Sequence, residues 1–243
     1  MVYIIIQARM TSTRLPGKIM LPLCNKPVLQ VMLERLQRFK SSIIIATTND
    51  GTEQPIVELC QRLGVRYFQG DTNNVLQRYY HAATHFAAKN ENIVVRITSD
   101  CPLIDPLLTQ STIDYYINNQ FDYVNAGSGT GFPRGMDTEV FSYGLLKEAY
   151  LNATQEYEQE HVTPYFYKTC ADKLAIGQYR NHSDHSKYRL TLDEESDYLA
   201  IQKVYKKLSC KTDFNYDDLI KILENNPYIY ELNAAVEQKK LLS

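Results

Sequence analysis

The stretch IIIQARMTSTRLPGK, residues 4–18, joins an apolar, β-branched run to a segment that carries Arg9, Arg14 and Lys18 around a single glycine. One interpretation is a solvated surface loop. The other is a clamp for a highly charged anion, because guanidinium and ammonium groups bind phosphate oxygens through forked and point-charge contacts. The segment directly follows the first buried strand of the chain, which favours the clamp.

The composition of the 243 residues, with 44% hydrophobic and 22% charged residues, is ordinary for a globular domain with a sizeable core. The formal net charge of −2 argues against general attraction to nucleic acid, so any anion site must be a local concentration of positive charge. No run approaches the ~18 apolar residues of a membrane span, and no secretory signal opens the chain. We therefore predict a cytoplasmic protein with neither a nucleic-acid partner nor a membrane partner.

Five cysteines are spread along the chain in an odd number, without a C-x-x-C pair. This pattern predicts reduced thiols rather than a disulfide framework or a zinc site. They are Cys24, Cys60, Cys101, Cys170 and Cys210.

Strand-like and helix-like patterns alternate in the first half of the chain. The predicted strands are residues 2–6, 42–48, 65–69 and 93–98, and the predicted helices are residues 27–39, 52–64 and 73–89. This alternation predicts an α/β fold with a parallel sheet covered by helices on both faces. Ligands of such sheets bind at the carboxyl ends of the strands, where the polar loops converge.

The regular alternation of strands and helices ends at about residue 120. Two strands are predicted around the glycine-rich turn at 127–135, followed by a helical stretch from 143 to 170 and a strand within 173–180. Residues 188–208 are predicted to run from a short strand into a helix, and the chain end to form a last helix or a linker.

Acidic residues follow two of the predicted strands. Asp100 lies just past the fourth strand and Asp193 past the late one, and an acid at a strand end facing a basic loop is suited to hold Mg²⁺ against phosphates. If the two strands are neighbours, the two carboxylates share one cation. Asp105 is instead predicted to cap the helix that begins near Pro106, and Asp197 to lie exposed in the first turn of the late helix.

Four residues of the middle segment are candidates for the acceptor side. Arg134 suits a carboxylate or phosphate, while Asp137 and Glu139 suit hydroxyl groups. His161 reaches the same cleft in this interpretation. The two histidines of HSDH, residues 182–185, are interpreted as part of a surface loop.

Seven motifs together resemble the sugar-acid cytidylyltransferases, the CMP-KDO and CMP-neuraminate synthetase group, and within it the branch of spore coat polysaccharide biosynthesis protein F. They are IIIQARMTSTRLPGKIMLPLCNKPVL, IIIATTND, GDTNNVLQRY, VVRITSDCPLIDP, GFPRGMDTEVFS, EHVTPYFY and YRLTLDEESDY. The resemblance implies a three-layer, Rossmann-like (GT-A-like) nucleotidyltransferase fold with a mixed, mostly parallel central sheet. It also implies CTP as donor, a sugar-acid acceptor, Mg²⁺ as cofactor and a homodimer.

By this resemblance, Arg9, Arg14 and Lys18 match triphosphate-binding positions, and Asp100 and Asp193 match metal-binding aspartates. Arg9, Lys18 and Asp100 are then the catalytic residues, and Arg78 falls in the segment near the nucleotide. The domain 1–243 divides into a nucleotide-binding half (1–120), an acceptor-binding and metal-completing half (121–208) and C-terminal helices (209–243). The segment TSDCP stands where CMP-KDO synthetases have a QGDEP-like sequence, which leaves the acceptor open.

Three alternatives remain at this point. One is a nucleotidyltransferase that uses another nucleoside triphosphate or a phosphorylated non-sugar acceptor. A GT-A glycosyltransferase would have a D-x-D pair, whereas SDC has one aspartate. A non-catalytic nucleotide-binding module would have lost clamp or metal residues that this sequence keeps.

Overall fold

The computed structural model describes residues 1–238, which form a central seven-stranded sheet and a small hairpin. The sheet has the order β5-β4-β1-β6-β8-β7-β9, and the hairpin pairs β2 with β3. The strands are β1 (Val2–Gln7), β2 (Pro22–Leu23), β3 (Lys26–Pro27), β4 (Ile43–Thr48), β5 (Arg66–Gly70), β6 (Ile93–Thr98), β7 (Tyr123–Ala126), β8 (Thr138–Ser142) and β9 (Ile176–Gln178).

The sheet is mixed but mostly parallel. Strands β5, β4, β1 and β6 pair in parallel, as do β7 and β9, while β8 runs antiparallel to both of its neighbours. The four predicted strands of the first half are confirmed. The β-branched runs of β1 and β4 are buried on both faces, as expected inside a parallel sheet, whereas the edge strand β5 is only partly buried.

Nine α-helices surround the sheet in the described residues. They are α1 (Val28–Arg35), α2 (Gln54–Leu63), α3 (Val75–His85), α4 (Pro106–Asn118), α5 (Tyr143–Asn152), α6 (Glu156–His161), α7 (Glu195–Lys207), α8 (Tyr216–Asn225) and α9 (Pro227–Glu231). Short 3₁₀ helices span Lys18–Met20 and Gln37–Ser42, and a π-helical turn spans Tyr165–Thr169.

Alternate residues of the strands enter two separate cores, one on each face of the sheet. Ile5 of β1 packs in the core beneath α3 and α5, whereas Ile4 and Ile6 pack in the core beneath α1 and α2. A third core joins the hairpin to α7, α8 and α9. The result is the predicted three-layer arrangement with an added C-terminal helical group.

The structure confirms one predicted helix end and contradicts another. Asp105 caps α4 as predicted, since its carboxylate accepts the N–H groups of Leu107 and Leu108 at 2.7 Å each. The continuous helical stretch predicted for 143–170 is wrong: α5 ends at Asn152, and after α6 the backbone of Val162 takes a φ of 70°, which stops the helix.

The late strand predicted to begin at residue 188 is also wrong. Arg189 makes a single bridge with Arg134, and the next backbone groups are shared between two segments, since Leu190 donates to Arg134 and Leu192 donates to Asp100. Gly135 permits this close approach, because a Cβ there would lie 2.5 Å from the carbonyl carbon of Leu190. Because the hydrogen bonds pass from Arg134 to Asp100 within two residues, no ladder of consecutive pairs forms.

The expectation of five reduced cysteines is wrong as well. Cys24 and Cys210 form a disulfide across a sequence separation of 186 residues, and Cys60, Cys101 and Cys170 are free and buried. Cys24 lies in the hairpin turn, and packing of the hairpin on α7 brings it to the chain just beyond that helix.

The C-terminal prediction is partly covered by the described chain. Helices α8 and α9 lie within the predicted helical region 209–243, and residues 239–243 lie outside the described residues. Within residues 1–238, no helix combines the length and apolar character needed to cross a membrane.

Candidate active site

An ammonium group between two carboxylates forms the centre of the site. The Nζ atom of Lys18 lies 3.0 Å from Oδ2 of Asp100 and 2.9 Å from Oδ1 of Asp193. The three side chains are partly accessible, with 12%, 22% and 13% of their surface exposed. Residues separated by up to 175 positions therefore meet around one positive charge.

The fold brings these residues together at the carboxyl edge of the sheet. Asp100 follows β6, and its backbone carbonyl accepts the N–H of Leu192, which positions Asp193 one residue later. Lys18 begins a 3₁₀ helix behind Gly17, whose φ of 66° favours glycine at this turn. The predicted meeting of Asp100 and Asp193 thus occurs through a bridge and a loop rather than through adjacent strands.

The charges of the centre stabilise one another. Burial by itself lowers the pKa of Lys18, but the two carboxylates outweigh it and raise that pKa above its ordinary value. Burial would raise the pKa of Asp100, yet Lys18 and a hydrogen bond from Thr98 keep it below its usual value. The ammonium and the Asp100 carboxylate therefore stay charged across the neutral range.

Asp193 is surrounded by three cations. Its Oδ1 atom binds Lys18, while its Oδ2 atom lies 3.0 Å from Arg14 and 2.9 Å from Arg189. Arg14 also contacts Glu194 at 3.1 Å. Arg14 and Lys18 belong to the basic loop of the opening motif, so that loop lies against the acidic pair.

Arg189 and Asp197 lie behind Asp193; the sequence pattern did not single out Arg189, and it predicted an exposed Asp197. The Asp197 side chain is fully buried, so the expectation that it is exposed is wrong. Its carboxylate is compensated by Arg189, whose Nε–H donates to Oδ1 at 2.8 Å. Its Oδ2 atom also accepts the backbone N–H groups of Asp193 and Glu194 at 2.9 and 3.0 Å. The capping-box spacing of Glu194 and Asp197 is the sequence signal that indicates this role.

The donor set fits a hard divalent cation. Oδ2 of Asp100 and Oδ1 of Asp193 already face one positive charge, and Mg²⁺ is held in such sites by one or two carboxylates, with waters and phosphate oxygens completing the shell. Within residues 1–238, no group of three or more His, Cys, Asp or Glu side chains is arranged to hold a metal ion. A metal in this centre would therefore take its remaining ligands from water or from oxygen atoms of a bound ligand.

Arg9 and Arg78 form a second positive group near the same edge. Arg78 is buried, and its guanidinium donates to the carbonyl of Asp71 at 2.5 Å, which fixes the loop after β5. Burial lowers the pKa of Arg78 to about 10, and the nearby charge of Arg9 acts in the same direction. Arg9 itself is exposed.

Glu139 is committed to a buried network on β8. It forms an ion pair with Arg96 on the neighbouring strand β6 and accepts hydrogen bonds from the hydroxyls of Tyr123 at 2.5 Å and Thr163 at 2.7 Å. Arg96, which the sequence analysis did not single out, also donates to Gln7 at 3.2 Å.

The other acceptor candidates occupy different surroundings. The carboxylate of Asp137 accepts the N–H groups of Ser128 and Gly135 and so closes the glycine-rich turn. Arg134 lies beside Arg189 through its backbone. His161 is half-buried at the end of α6, two residues before the Thr163 that binds Glu139.

The HSDH segment lies in a surface loop, as predicted, with residues 182–184 exposed and His185 half-buried. Nδ1 of His185 lies 2.8 Å from the hydroxyl of Tyr216, and the backbone N–H of His185 donates to the carbonyl of Gly131. Together with residues 129–131, the segment lines a polar cavity of about 390 Å³.

Comparison with protein families and curated proteins gives a consistent result. A family model described as "Cytidylyltransferase" matches residues 3–241. The spore coat polysaccharide biosynthesis protein SpsF of Bacillus subtilis (strain 168) is 30% identical over 243 residues, which cover 97% of each chain. A 3-deoxy-manno-octulosonate cytidylyltransferase of Francisella philomiragia is 35% identical over 106 residues, which are 42% of this chain and 41% of that protein.

The fold has a close counterpart among solved structures. A cytidylyltransferase from Leptospira borgpetersenii serovar Hardjo-bovis (strain JB197) superimposes with a TM-score of 0.89 at 36% identity, covering 98% of both chains. The predicted nucleotidyltransferase fold with its mixed, mostly parallel sheet is confirmed.

Proposed function

Because this chain belongs to the cytidylyltransferase family and is a CTP-using nucleotidyltransferase, we propose that it transfers CMP to a sugar acid or a related surface-polysaccharide precursor, with release of pyrophosphate. The acidic pair around Lys18 is the observation that carries this proposal. The names of the Bacillus and Francisella relatives support a polysaccharide precursor and a sugar acid, respectively.

Asp100 and Asp193 would hold Mg²⁺, and the other ligands would be water and phosphate oxygens. When bound, the metal supplies positive charge that stabilises the phosphates in the transition state. Lys18 occupies the space between both carboxylates, so it has to leave them for the metal to enter. A triphosphate offers the ammonium an alternative set of anionic oxygens.

Arg9, Arg14 and Lys18 would bind the β- and γ-phosphates of CTP. An acceptor oxygen attacks the α-phosphorus, and negative charge develops on the departing pyrophosphate, where fixed cations lower the barrier most. Positioning and electrostatics dominate this class of transfer, so little acid–base chemistry is needed from the protein. Arg78 would contribute by fixing the loop near the nucleotide.

The acceptor would bind beside the 121–208 half of the domain, opposite the nucleotide-binding half at 1–120. Arg134 would pair with the acceptor's acidic group, and His161 would contact it from the end of α6. Asp137 and Glu139 already accept hydrogen bonds within the protein. Each would bind a hydroxyl of the sugar acid only through a lone pair that these bonds do not use.

The alternatives differ in one substrate each. A phosphorylated non-sugar acceptor would keep the same donor chemistry, and another nucleoside triphosphate would keep the clamp. The retained acidic pair and basic loop support catalysis over a non-catalytic binding module. A cytoplasmic location, a homodimer and the lack of nucleic-acid or membrane partners belong to the proposal.

Calorimetric binding of CTP, UTP, GTP and ATP, each with Mg²⁺ and with EDTA, tests the donor. We expect selective CTP binding that Mg²⁺ strengthens, followed by pyrophosphate release when a sugar acid is added. Equal binding of all four nucleotides would contradict the base specificity. Release with phosphorylated small acids but not with sugar acids would contradict the acceptor.

A further inference from the structure

The side chain of Asp193 faces two kinds of partner. Its Oδ1 atom faces Lys18 and Asp100, on the side proposed for the metal, and its Oδ2 atom is held by Arg14 and Arg189. Arg14 and Lys18 lie on the basic loop, whereas Arg189 belongs to the segment that leads to Asp193 itself.

Arg189 differs from the other two cations in how firmly it is held. Its side chain is 10% exposed, compared with 32% for Arg14, and it binds both oxygens of Asp197 at 2.8 and 3.1 Å. A further nitrogen donates to Gln238 at 3.0 Å. With these contacts and the one to Asp193, we expect the Arg189 guanidinium to stay in place when a nucleotide binds.

Asp197 fixes the arrangement from beneath. It is fully buried and receives Arg189, the side-chain amide of Asn233 and the backbone N–H groups of Asp193 and Glu194. Asp193 is therefore anchored twice, through its Oδ2 atom by Arg189 and through its backbone by the acid that also holds Arg189.

We propose that Arg189, fixed by Asp197, is a positioning residue that keeps Asp193 directed at the cation site when Lys18 and Arg14 turn to the triphosphate. The inference rests on the proposed function, since it assumes that the basic loop binds the nucleotide. Without Arg189, Asp193 would lose its last charged partner at the moment when its Oδ1 atom has to accept the metal.

Arg189 acts through Asp193, so its replacement changes the metal dependence of nucleotide binding rather than nucleotide binding itself. Lysine is the informative substitution, because one ammonium cannot bind Asp193 and both oxygens of Asp197 as the planar guanidinium does. Loss of a group that orients a metal ligand costs about 10–100-fold in metal affinity.

The experiment is calorimetric titration of the full chain with CTP, without acceptor, once in EDTA and once in saturating Mg²⁺. For Arg189→Lys we expect the dissociation constant in EDTA to stay within about twofold of wild type, because Arg14 and Lys18 are intact. The strengthening by Mg²⁺ should fall at least about tenfold. Asp193→Asn should lose the strengthening completely, and Arg62→Lys, on the exposed face of α2, should keep it.

Equal strengthening in wild type and in Arg189→Lys would overturn the positioning role alone. Wild-type protein that binds no CTP, or binds it identically with and without Mg²⁺, would overturn the proposed function and this inference together. If Arg189→Lys does not fold, Asp197→Asn is measured in the same way, since it keeps the side-chain size while removing the charge that holds Arg189. Retained strengthening in that variant would also contradict the proposal.

Discussion

The pair Arg96–Glu139 and the group Lys18–Asp100–Asp193 are both partly buried ion contacts at the same sheet, but they are built in different ways. Arg96 and Glu139 lie opposite each other on adjacent strands, in register, with further bonds from Tyr123 and Thr163. Lys18 comes from the end of the basic loop, where a 3₁₀ helix begins, and its two acids come from the ends of distant segments.

This difference indicates which charges serve the fold and which are available to a ligand. Sheet register keeps Arg96 and Glu139 opposite each other, and Tyr123 and Thr163 hold the carboxylate further, so the two charges neutralise each other within the fold. A cation on a loop can exchange its carboxylates for phosphates if the loop turns. The acidic pair around Lys18 therefore suits a site that changes partners, and the Arg96–Glu139 pair suits a fixed wall.

The largest expected effect is on turnover. Asp100→Asn should lower the rate of pyrophosphate release by about 10³-fold or more, because it removes charge that positions the metal against the phosphates. The thermal midpoint should change little, since Lys18 keeps Asp193 as a partner. Undiminished turnover would show that this edge does not rearrange around a metal.

Glu139→Gln should act on stability instead. Breaking a buried ion pair by removing one partner costs about 3–5 kcal/mol, because the other charge is left uncompensated. Urea unfolding measures this loss, and the exposed pair Lys26–Glu34 offers a matched control in Glu34→Gln, expected to cost less than about 1 kcal/mol. A Glu139→Gln variant with normal stability but a raised KM for the acceptor would show that Glu139 serves the acceptor site rather than the fold.

Removal of the disulfide tests how the hairpin is held to the chain beyond α7. Cys24→Ser should lower the free energy of unfolding by about 2–5 kcal/mol, because a long loop in the unfolded chain is no longer closed. CTP binding should persist, since Leu23 of the hairpin stays buried in the third core with residues of α7. Urea unfolding of the variant beside wild type measures the change, and identical curves would contradict it.

The smallest effect expected is on nucleotide affinity. Lys18→Ala should weaken CTP binding about 10–100-fold, as loss of a charge-assisted contact implies, and CMP binding by no more than about twofold. Calorimetry in EDTA measures the contribution of Lys18 to binding without that of the metal. Equal weakening of both nucleotides would mean that Lys18 does not contact the β- and γ-phosphates.

Much of the first half of the fold was predictable from sequence because local periodicity decided it. Runs such as residues 43–48 have no polar residue until their last two positions, which leaves little alternative to a buried parallel strand. The strand predicted at residue 188 is wrong because its backbone N–H groups donate to the carbonyls of Arg134 and Asp100, two distant segments. Gly135 makes the close approach possible, and no local pattern reveals these partners.

By itself, the sequence determined the sheet-and-helix alternation, the basic loop after β1 and the acids that follow it, because these depend on residue type and short spacing. Only the tertiary structure decided that Lys18 lies between Asp100 and Asp193, that Arg189 and Asp197 stand behind them, that Glu139 is bound to Arg96, and that Cys24 reaches Cys210. Each of these contacts joins segments through packing and charge balance, and such contacts leave no periodic trace along the chain.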